Sequence, residues 1–469
     1  MRAALRSMFQ SLGVRNYRLF ASGQIVSLTG TWVQAVAQDW LVLDLSHNSA
    51  IALGVVTAFQ FAPMMLIAMY GGVLADRLDK RLMLMVTQCT FGLLALGMGL
   101  LVVSGAAQLW HVYVFALLFG TCQAFDTPTR QAFVPEMVGP EGLPNAVSLN
   151  SATFNSARLI GPGVGGLLIA SFGVGPSFLV NASTYLAVIG VLLLMRPGEL
   201  HRGRRAPRAP GQIAAAVTLI RGRPDLLQAF LLVSVVGTMG MNFMLTLPLL
   251  ARVDFKVDAA RFGLLGSALA AGALCAALAG SRRRARPSGW LHLGFAGLFG
   301  VLETVLALAP SFLVAVLIVV PTGAALIAHN NVANQRVQLG VPAQIRGRIM
   351  ALYMMVFVGG TPLGGLFVGA VSQRYGARAG IALGGVSVLV AAAAIALLEA
   401  RRERVRVSID LLPRPGLRVS VPGAVASADP QPAPQPDAEP EPVVSGVLGD
   451  EPGAVAEAEA RVGRASAAR

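Results

Sequence analysis

Twelve stretches of mostly apolar residues, each close to the length that crosses a bilayer, divide this chain into two sets of six. The first set is Leu19–Leu43, Ile51–Ala75, Leu82–Ser104, Leu109–Phe125, Ala146–Phe172 and Pro176–Met195. The second is Leu226–Ala251, Phe262–Ser281, Trp290–Ala309, Phe312–His329, Ile349–Val371 and Ala379–Leu398. Roughly 20 apolar residues span the hydrocarbon of a membrane. Backbone polar groups cannot stay unpaired in lipid, so runs of this length are expected to be helices. The expected fold is therefore an all-α integral membrane protein of about 12 transmembrane helices in two pseudo-symmetric halves. The halves are expected at 1–195 and 225–400. A polar, Arg-rich and Pro-containing linker at 196–224 joins them, and a tail at 401–469, rich in Pro, Ala, Glu and Asp, is expected to be disordered. The basic N-terminus is not read as part of a signal peptide, because the first apolar run is too long and more spans follow it.

Composition agrees with the pattern. Of 469 residues, 55% are hydrophobic and 13% charged, with a mean hydropathy of +0.66. A soluble chain carries about 25% charged residues. The net charge of +14 does not point to nucleic acid, because the Arg residues fall in short patches between apolar runs without interleaved aromatics. Those patches set an orientation instead. The ends expected in the cytoplasm carry 22 cations, among them Arg15, Arg77, Lys80, Arg81, Arg130, Arg196, Arg223, Arg286 and Arg336. The opposite side holds five, Arg252, Lys256, Arg261, Arg374 and Arg378. Both termini are thus expected inside. Cys89, Cys122 and Cys275 all lie within apolar runs, spaced for neither a metal nor a disulfide framework. The four tryptophans, Trp32, Trp40, Trp110 and Trp290, are read by default as interface anchors.

The two sets repeat each other. Val26-Ser-Leu-Thr-Gly-Thr31 returns as Val233-Ser-Val-Val-Gly-Thr238, and Gly161-Pro-Gly-Val-Gly-Gly166 as Gly360-Thr-Pro-Leu-Gly-Gly365. Asp126-x-x-x-Arg130-Gln131 has the echo Asn330-x-x-x-Asn334-Gln335. Three pairs in the same order, about 200 residues apart, are the mark of a duplicated six-helix unit. Parallel repeats of this kind bind substrate near the membrane midplane between the halves.

Between the second and third runs lies Gly71-Gly-Val-Leu-Ala-Asp-Arg-Leu-Asp-Lys-Arg81, a charged turn too tight to be anything but a helical hairpin. Its Gly72-x-x-x-Asp76-Arg77-x-x-Lys80-Arg81 resembles the loop 2–3 signature of the major facilitator superfamily, with Asp79 where a Gly is usual. That version resembles the drug–proton antiporter-like branch related to macrolide efflux proteins and the enterobactin exporter. The resemblance covers roughly 15–398 and implies the major facilitator fold. It also implies that Asp76 and Arg77 cluster with Asp126, beside Arg130, as a gate locking the outward-facing state. Gly161-Pro162-x-x-Gly165-Gly166 resembles the helix 5 antiporter signature, with Ala157 in place of its leading Gly. The Arg that drug exporters carry in helix 4 is missing.

Some polar residues fall inside the expected spans. Gln34 and Gln38, spaced i and i+4, form a stripe expected to line a cavity. Arg158 lies near the bilayer middle, where a charge faces a cavity or a partner, so both a substrate-linked and a structural role stay open. Asp39 is either an interface residue or, with Glu303, a proton carrier, since an acid in apolar surroundings can exchange a proton near neutral pH. Asn330, Asn331, Asn334 and His329 are read as capping and packing groups. No nucleophile–base pair, phosphate loop or metal cluster is legible, so no enzyme is expected and no ATP-driven pump. The expected function is secondary active transport without cofactors. A hydrophobic or amphipathic small molecule such as a drug, antibiotic or siderophore-like compound would leave the cell membrane in exchange for protons, the proton gradient supplying the energy. The protein is expected to act as a monomer in the lipid bilayer. The alternatives are a uniporter or importer of a small metabolite, or a transport-inactive sensor or scaffold.

Overall fold

The structure, a computed structural model, describes residues 10–201, 212–280, 286–402, 406–410 and 416–420, with the backbone alone for 68–77, 212–216, 343–344 and two short strands. The first six helices are α1 (Arg15–Leu45), α2 (Ala50–Arg77), α3 (Lys80–Val103), α4 (109–138), α5 (140–172) and α6 (Val174–Leu194). α4 and α5 form one element, Leu109–Phe172, broken at Gly139. The second six are α7 (Pro224–Asp254), α8 (Ala259–Gly280), α9 (Gly289–Ala307), α10 (Phe312–Gly340), α11 (Ala343–Gly359 and Thr361–Tyr375) and α12 (Ala377–Arg402). Among the described residues nine spans are long and apolar enough to cross a membrane. The more polar α1, α4 and α5 complete the expected twelve.

Helix ends follow local sequence. Asp79 accepts a hydrogen bond from the Leu82 amide at 3.0 Å and caps α3, which explains an acid where the resembling motif has Gly. Ser288 and Ser311 cap α9 and α10 in the same way. The α5–α6 and α11–α12 turns are single glycines, Gly173 at φ 84° and Gly376 at φ 91°, values that residues with a Cβ rarely adopt. α7 is not continuous. It widens into a π turn at Val236–Gly240, and the Asn242 amide nitrogen donates to the freed carbonyls of Thr238 and Met239 at 2.8 and 2.9 Å.

The hydrophobic core shows how the halves meet. The end of the bundle carrying the α2–α3 and α4–α5 turns is called the basic end here. There the core is split in two. One cluster, with Tyr17, Phe20, Leu84, Phe133 and Leu192, belongs to the first half, and another, with Leu226, Phe230, Val337 and Tyr353, to the second. At the far end a single cluster runs across both, from Leu43, Phe115 and Phe178 to Leu247, Phe262 and Phe299. The halves join through α2 against α11 and α5 against α8. The faces that meet at the far end are bare toward the basic end. Gly166 is buried while Ser148, on the same stripe of α5, is exposed, and Gly365 is buried while Met354 on α11 is 52% exposed. The bundle is a wedge, closed at the far end and open at the basic end.

Two stretches differ from the reading of the sequence. Within the expected linker, Gln212–Gly222 is helical. Within the expected tail, Arg406–Asp410 (β1) pairs antiparallel with Gly416–Ser420 (β2), aligning Val407 with Val419 and Ile409 with Leu417. The alternation of polar and apolar residues in Arg-Val-Ser-Ile-Asp carries that signal at period two.

The closed end depends on backbone contact, which gives a test. A Cβ on Gly54 would stand 2.6 Å from the carbonyl oxygen of Gly365, whereas nothing lies within 4 Å of one on Gly97. Gly54→Val is expected to destabilise the protein by roughly 1–3 kcal/mol, the usual cost of overpacking, and Gly97→Val to leave it unchanged, as read from thermal melting in detergent.

Candidate functional site

A wedge between two six-helix halves places the chemistry in three places: the open funnel, the seam that closes its far end, and the turns at its basic end. The seam is built from the repeated glycine motif. On α5, a Cβ on Gly165 would stand 3.0 Å from the backbone of Val33 in α1, and Gly166 lies against Ala259, Ala260 and Gly263 of α8. Pro162 meets Gly263 and Gly266. On α11, Gly364 lies against the Thr238 carbonyl of α7, and Gly365 against Thr57 and Gly54 of α2. The two copies of the motif thus make equivalent seams, and Gly161, which abuts Trp32, adds a close contact with α1.

Polar contacts lock the same end. Arg252 of α7 reaches across to the Asp44 carboxylate of α1, donates to the Trp40 carbonyl at 3.4 Å, and lies 4.8 Å from the centre of the Trp40 ring. Trp40 stacks on Phe262 of α8 at 6.0 Å. The Gln373 side-chain oxygen of α11 accepts from the Ala50 amide at 2.7 Å and the Ser49 hydroxyl at 3.2 Å, capping α2 across the seam. Neither device was legible in the sequence, because each pairs residues about 200 or more positions apart on ordinary polar types. Trp32 and Trp40 are half-buried and pack against α5 and α8.

At the basic end, the side chains of Gly72, Asp76 and Arg77 lie outside the described residues, so their expected cluster with Asp126 is not visible. The other members of the motif are. The Asp126 carboxylate is buried in the first half, where it accepts from Arg130 at 2.6 and 3.0 Å, Thr87 at 2.7 Å and Gln88 at 2.9 Å. Lys80 pairs with Glu136 at 2.6 Å. Arg81 donates to the Leu192 and Leu193 carbonyls at 2.7 and 3.2 Å and so caps α6.

The intramembrane polar residues are placed unevenly. Gln34 accepts from Asn181 of α6 at 2.7 Å and Gln38 donates to Gln60 of α2 at 3.2 Å. Both are buried against their own half, so the expected cavity-lining stripe is corrected: in this state neither amide is open to the funnel. Amides in a lipid setting gain most by bonding to one another across helices. Asp39 is buried at the closed end. Arg158 is half-buried, on the α5 stripe that faces α1, with its guanidinium 5.9 Å from the Trp32 ring centre.

Glu303 is not in the funnel. It is buried where α9 meets α12 and the broken part of α7, and its Oε2 has no hydrogen-bond partner. Its Oε1 and the Met239 carbonyl both come within 2.8 Å of the point a Cβ on Gly384 would occupy. His329 stacks on His292 of α9, with ring centres 4.6 Å apart, both fully buried and all four ring nitrogens unpartnered. Of the capping and packing role read for His329, it is packing in the bundle interior that the structure shows.

Comparison with known proteins follows from this geometry. The family described as transmembrane secretion effector matches residues 6–421. The staphyloferrin A transporter of Staphylococcus aureus is 27% identical over 266 residues, 56% of this chain and 66% of that protein. The chain thus spans just under two thirds of that relative. An enterobactin exporter of Citrobacter koseri is 24% identical over 81% of this chain and 91% of its own, and the multidrug efflux pump Tap of Mycolicibacterium fortuitum 26% over 77% and 90%. Among solved structures, a bacterial homologue of the lysosomal transporter Spinster shares the fold at a TM-score of 0.65 and 18% identity, covering 82% of this chain and 96% of that one.

The far-end lock yields a prediction. Asp44→Asn and Arg252→Gln are each expected to loosen the seam and raise the rate at which an impermeant maleimide labels a reporter cysteine at Phe262. The exchange Asp44→Arg with Arg252→Asp is expected to restore slow labelling.

Proposed function

The chain belongs to the transmembrane secretion effector family of major facilitator transporters, and from that premise we propose that it exports a hydrophobic or amphipathic small molecule across the cytoplasmic membrane in exchange for protons. The observation that carries this reading is the wedge: one core across both halves at the far end, two separate cores at the basic end. With the Arg-rich loops on the cytoplasmic side by the positive-inside rule, both termini lie inside and the funnel opens to the cytoplasm. This is the state in which an exporter collects its cargo. Relatives that are exporters and efflux pumps support the direction.

Export then requires the halves to rock. The Arg252–Asp44 pair and the Gln373 cap part at the outer end, while the glycine seams of α2–α11 and α5–α8 serve as the hinges. At the inner end, the turn with Gly72, Asp76 and Arg77 closes against the other half, next to the prepared Asp126–Arg130 pair. Glu303 is the favoured proton carrier. A neutral carboxyl there can donate to a freed α7 carbonyl such as that of Met239, and an ionised one repels it. Proton binding and release thereby bias the bend of α7. Asp39 on α1 is the second carrier candidate. The protein works as a monomer, without a cofactor.

In proteoliposomes, Glu303→Gln is expected to abolish substrate movement driven by a pH gradient while leaving substrate exchange at equal pH intact. Preserved pH-driven accumulation in that variant would exclude Glu303 as the carrier. Asp76→Asn is expected to insert normally but to lose export, and wild-type export rates from the inserted variant would remove Asp76 from the gate.

A further inference from the structure

Halfway along the funnel wall, a cation stands beside two aromatic rings. The Trp32 ring on α1 meets Phe154 of α5 edge to face, with centres 6.2 Å apart, and the Arg158 guanidinium lies 5.9 Å from the same Trp32 ring. The order is set by spacing. Phe154 and Arg158 are i and i+4 on α5, one turn apart on one face, and Trp32 fits between them because Gly161, a turn further on, has no side chain and lets α1 come close. Phe154 is 44% exposed, on the α5 stripe that carries Gly161 and Gly165.

Arg158 is the member that asks for a ligand. Among the described residues, no carboxylate and no carbonyl accepts from its guanidinium, unlike Arg130, Arg252, Arg286, Arg336 and Arg378, each of which bonds an acid or a carbonyl. The ring contact takes none of the guanidinium's hydrogen-bond donors. A cation near the middle of a membrane protein is costly and marks a substrate path or a partner. Within a low-dielectric funnel, it also concentrates anions. The intramembrane acids do not cancel it: Asp126 is already paired with Arg130, Glu303 is shut behind α7, α9 and α12, and Asp39 is buried at the closed end.

We propose that Trp32, Phe154 and Arg158 form a binding subsite for the carboxylate-bearing end of an aromatic or amphipathic substrate. The carboxylate would take the free guanidinium donors in a forked pair, and the apolar body would lie on the exposed Phe154 face and the Trp32 edge. The proposal deepens the export reading and rests on it for access: the open funnel is what brings a cytoplasmic solute to this point.

The test uses three probes of one shape, 2-naphthoate, 2-naphthylmethanol and 2-naphthylmethylammonium, titrated calorimetrically into the full chain in nanodiscs. Wild type is expected to bind the carboxylate about tenfold or more tightly than the alcohol, as a charge-assisted pair allows, and the ammonium most weakly. Arg158→Gln should erase the preference while keeping the alcohol affinity. Arg158→Lys should keep part of the preference, which separates loss of charge from loss of fold, and Trp32→Leu should weaken carboxylate and alcohol alike. An alcohol or ammonium bound as tightly as the carboxylate, a preference that survives Arg158→Gln, or no binding of any probe would each overturn the subsite. Export is scored separately in proteoliposomes: transport with no charge preference sinks only the subsite, whereas binding through Arg158 without any transport sinks only the export reading.

Discussion

Lipid gives helices no hydrophobic reason to associate, so a bundle that must both hold together and come apart depends on how closely its backbones can approach. Here the approach is set by glycine. Gly166 against Gly263 and Gly365 against Gly54 bring α5 to α8 and α2 to α11 with almost no side chain between them. Inside each half the same device recurs, with Gly120 against Gln60 joining α4 to α2 in the first and Gly323 against Leu269 joining α10 to α8 in the second. Contacts of this kind are short-ranged and numerous. They are tight when two smooth faces meet, and they vanish once the faces tilt. A seam with no interlocking side chains can therefore open without first repacking the core on either side.

The second constraint is the fate of polar groups. The first half largely satisfies its own: Gln34 with Asn181, Gln38 with Gln60, and Asp126 with three partners. The second half leaves more buried polar atoms without partners, among the described residues Gln228 Nε2, Asn242 Oδ1, both ring nitrogens of His292 and His329, Glu303 Oε2 and Arg336 Nε. Each buried polar atom left unpaired costs on the order of 1–3 kcal/mol. The second half also contains the broken α7. Two copies of one ancestral unit have diverged, one toward a satisfied framework and the other toward a strained, polar interior, and local opening is least costly in the latter.

Most of the architecture was legible from the pattern of apolar runs, because a helix that crosses lipid must announce itself by length. The repeat was legible too, and it had more structural content than the sequence could reveal: the Gly161–Gly166 and Gly360–Gly365 motifs make the two seams in equivalent ways. The site was legible only in part. The motif at the α2–α3 turn stood out because charges are rare in this chain, and so did Arg158 and Glu303. Their surroundings did not. Whether Glu303 faces a funnel or a helix depends on the rotation of α9, and the apolar runs are too uniform to fix that angle. Gln34 and Gln38 share a face by spacing, yet which helix covers that face is a matter of tertiary packing. The Asp44–Arg252 pair and the Gln373 cap join residues far apart in sequence, with nothing unusual about either member.

The placement of charge explains why neither end of such a transporter needs to be strongly bonded. Breaking a buried ion pair by withdrawing one partner is severe, because it leaves a charge in apolar surroundings. Asp126 avoids this. Its partners Arg130, Thr87 and Gln88 all belong to its own half, so its pairing does not depend on how the two halves meet. At the far end, Asp44 and Arg252 do belong to different halves, but Asp44 lies at the rim, where water replaces the lost partner. Rim pairs of this sort contribute about 0–1 kcal/mol. The closed and open states of each end therefore differ by little, and a ligand or proton need supply only a modest difference in affinity between them to move the population. A stronger lock at either end would hold the wedge in one state.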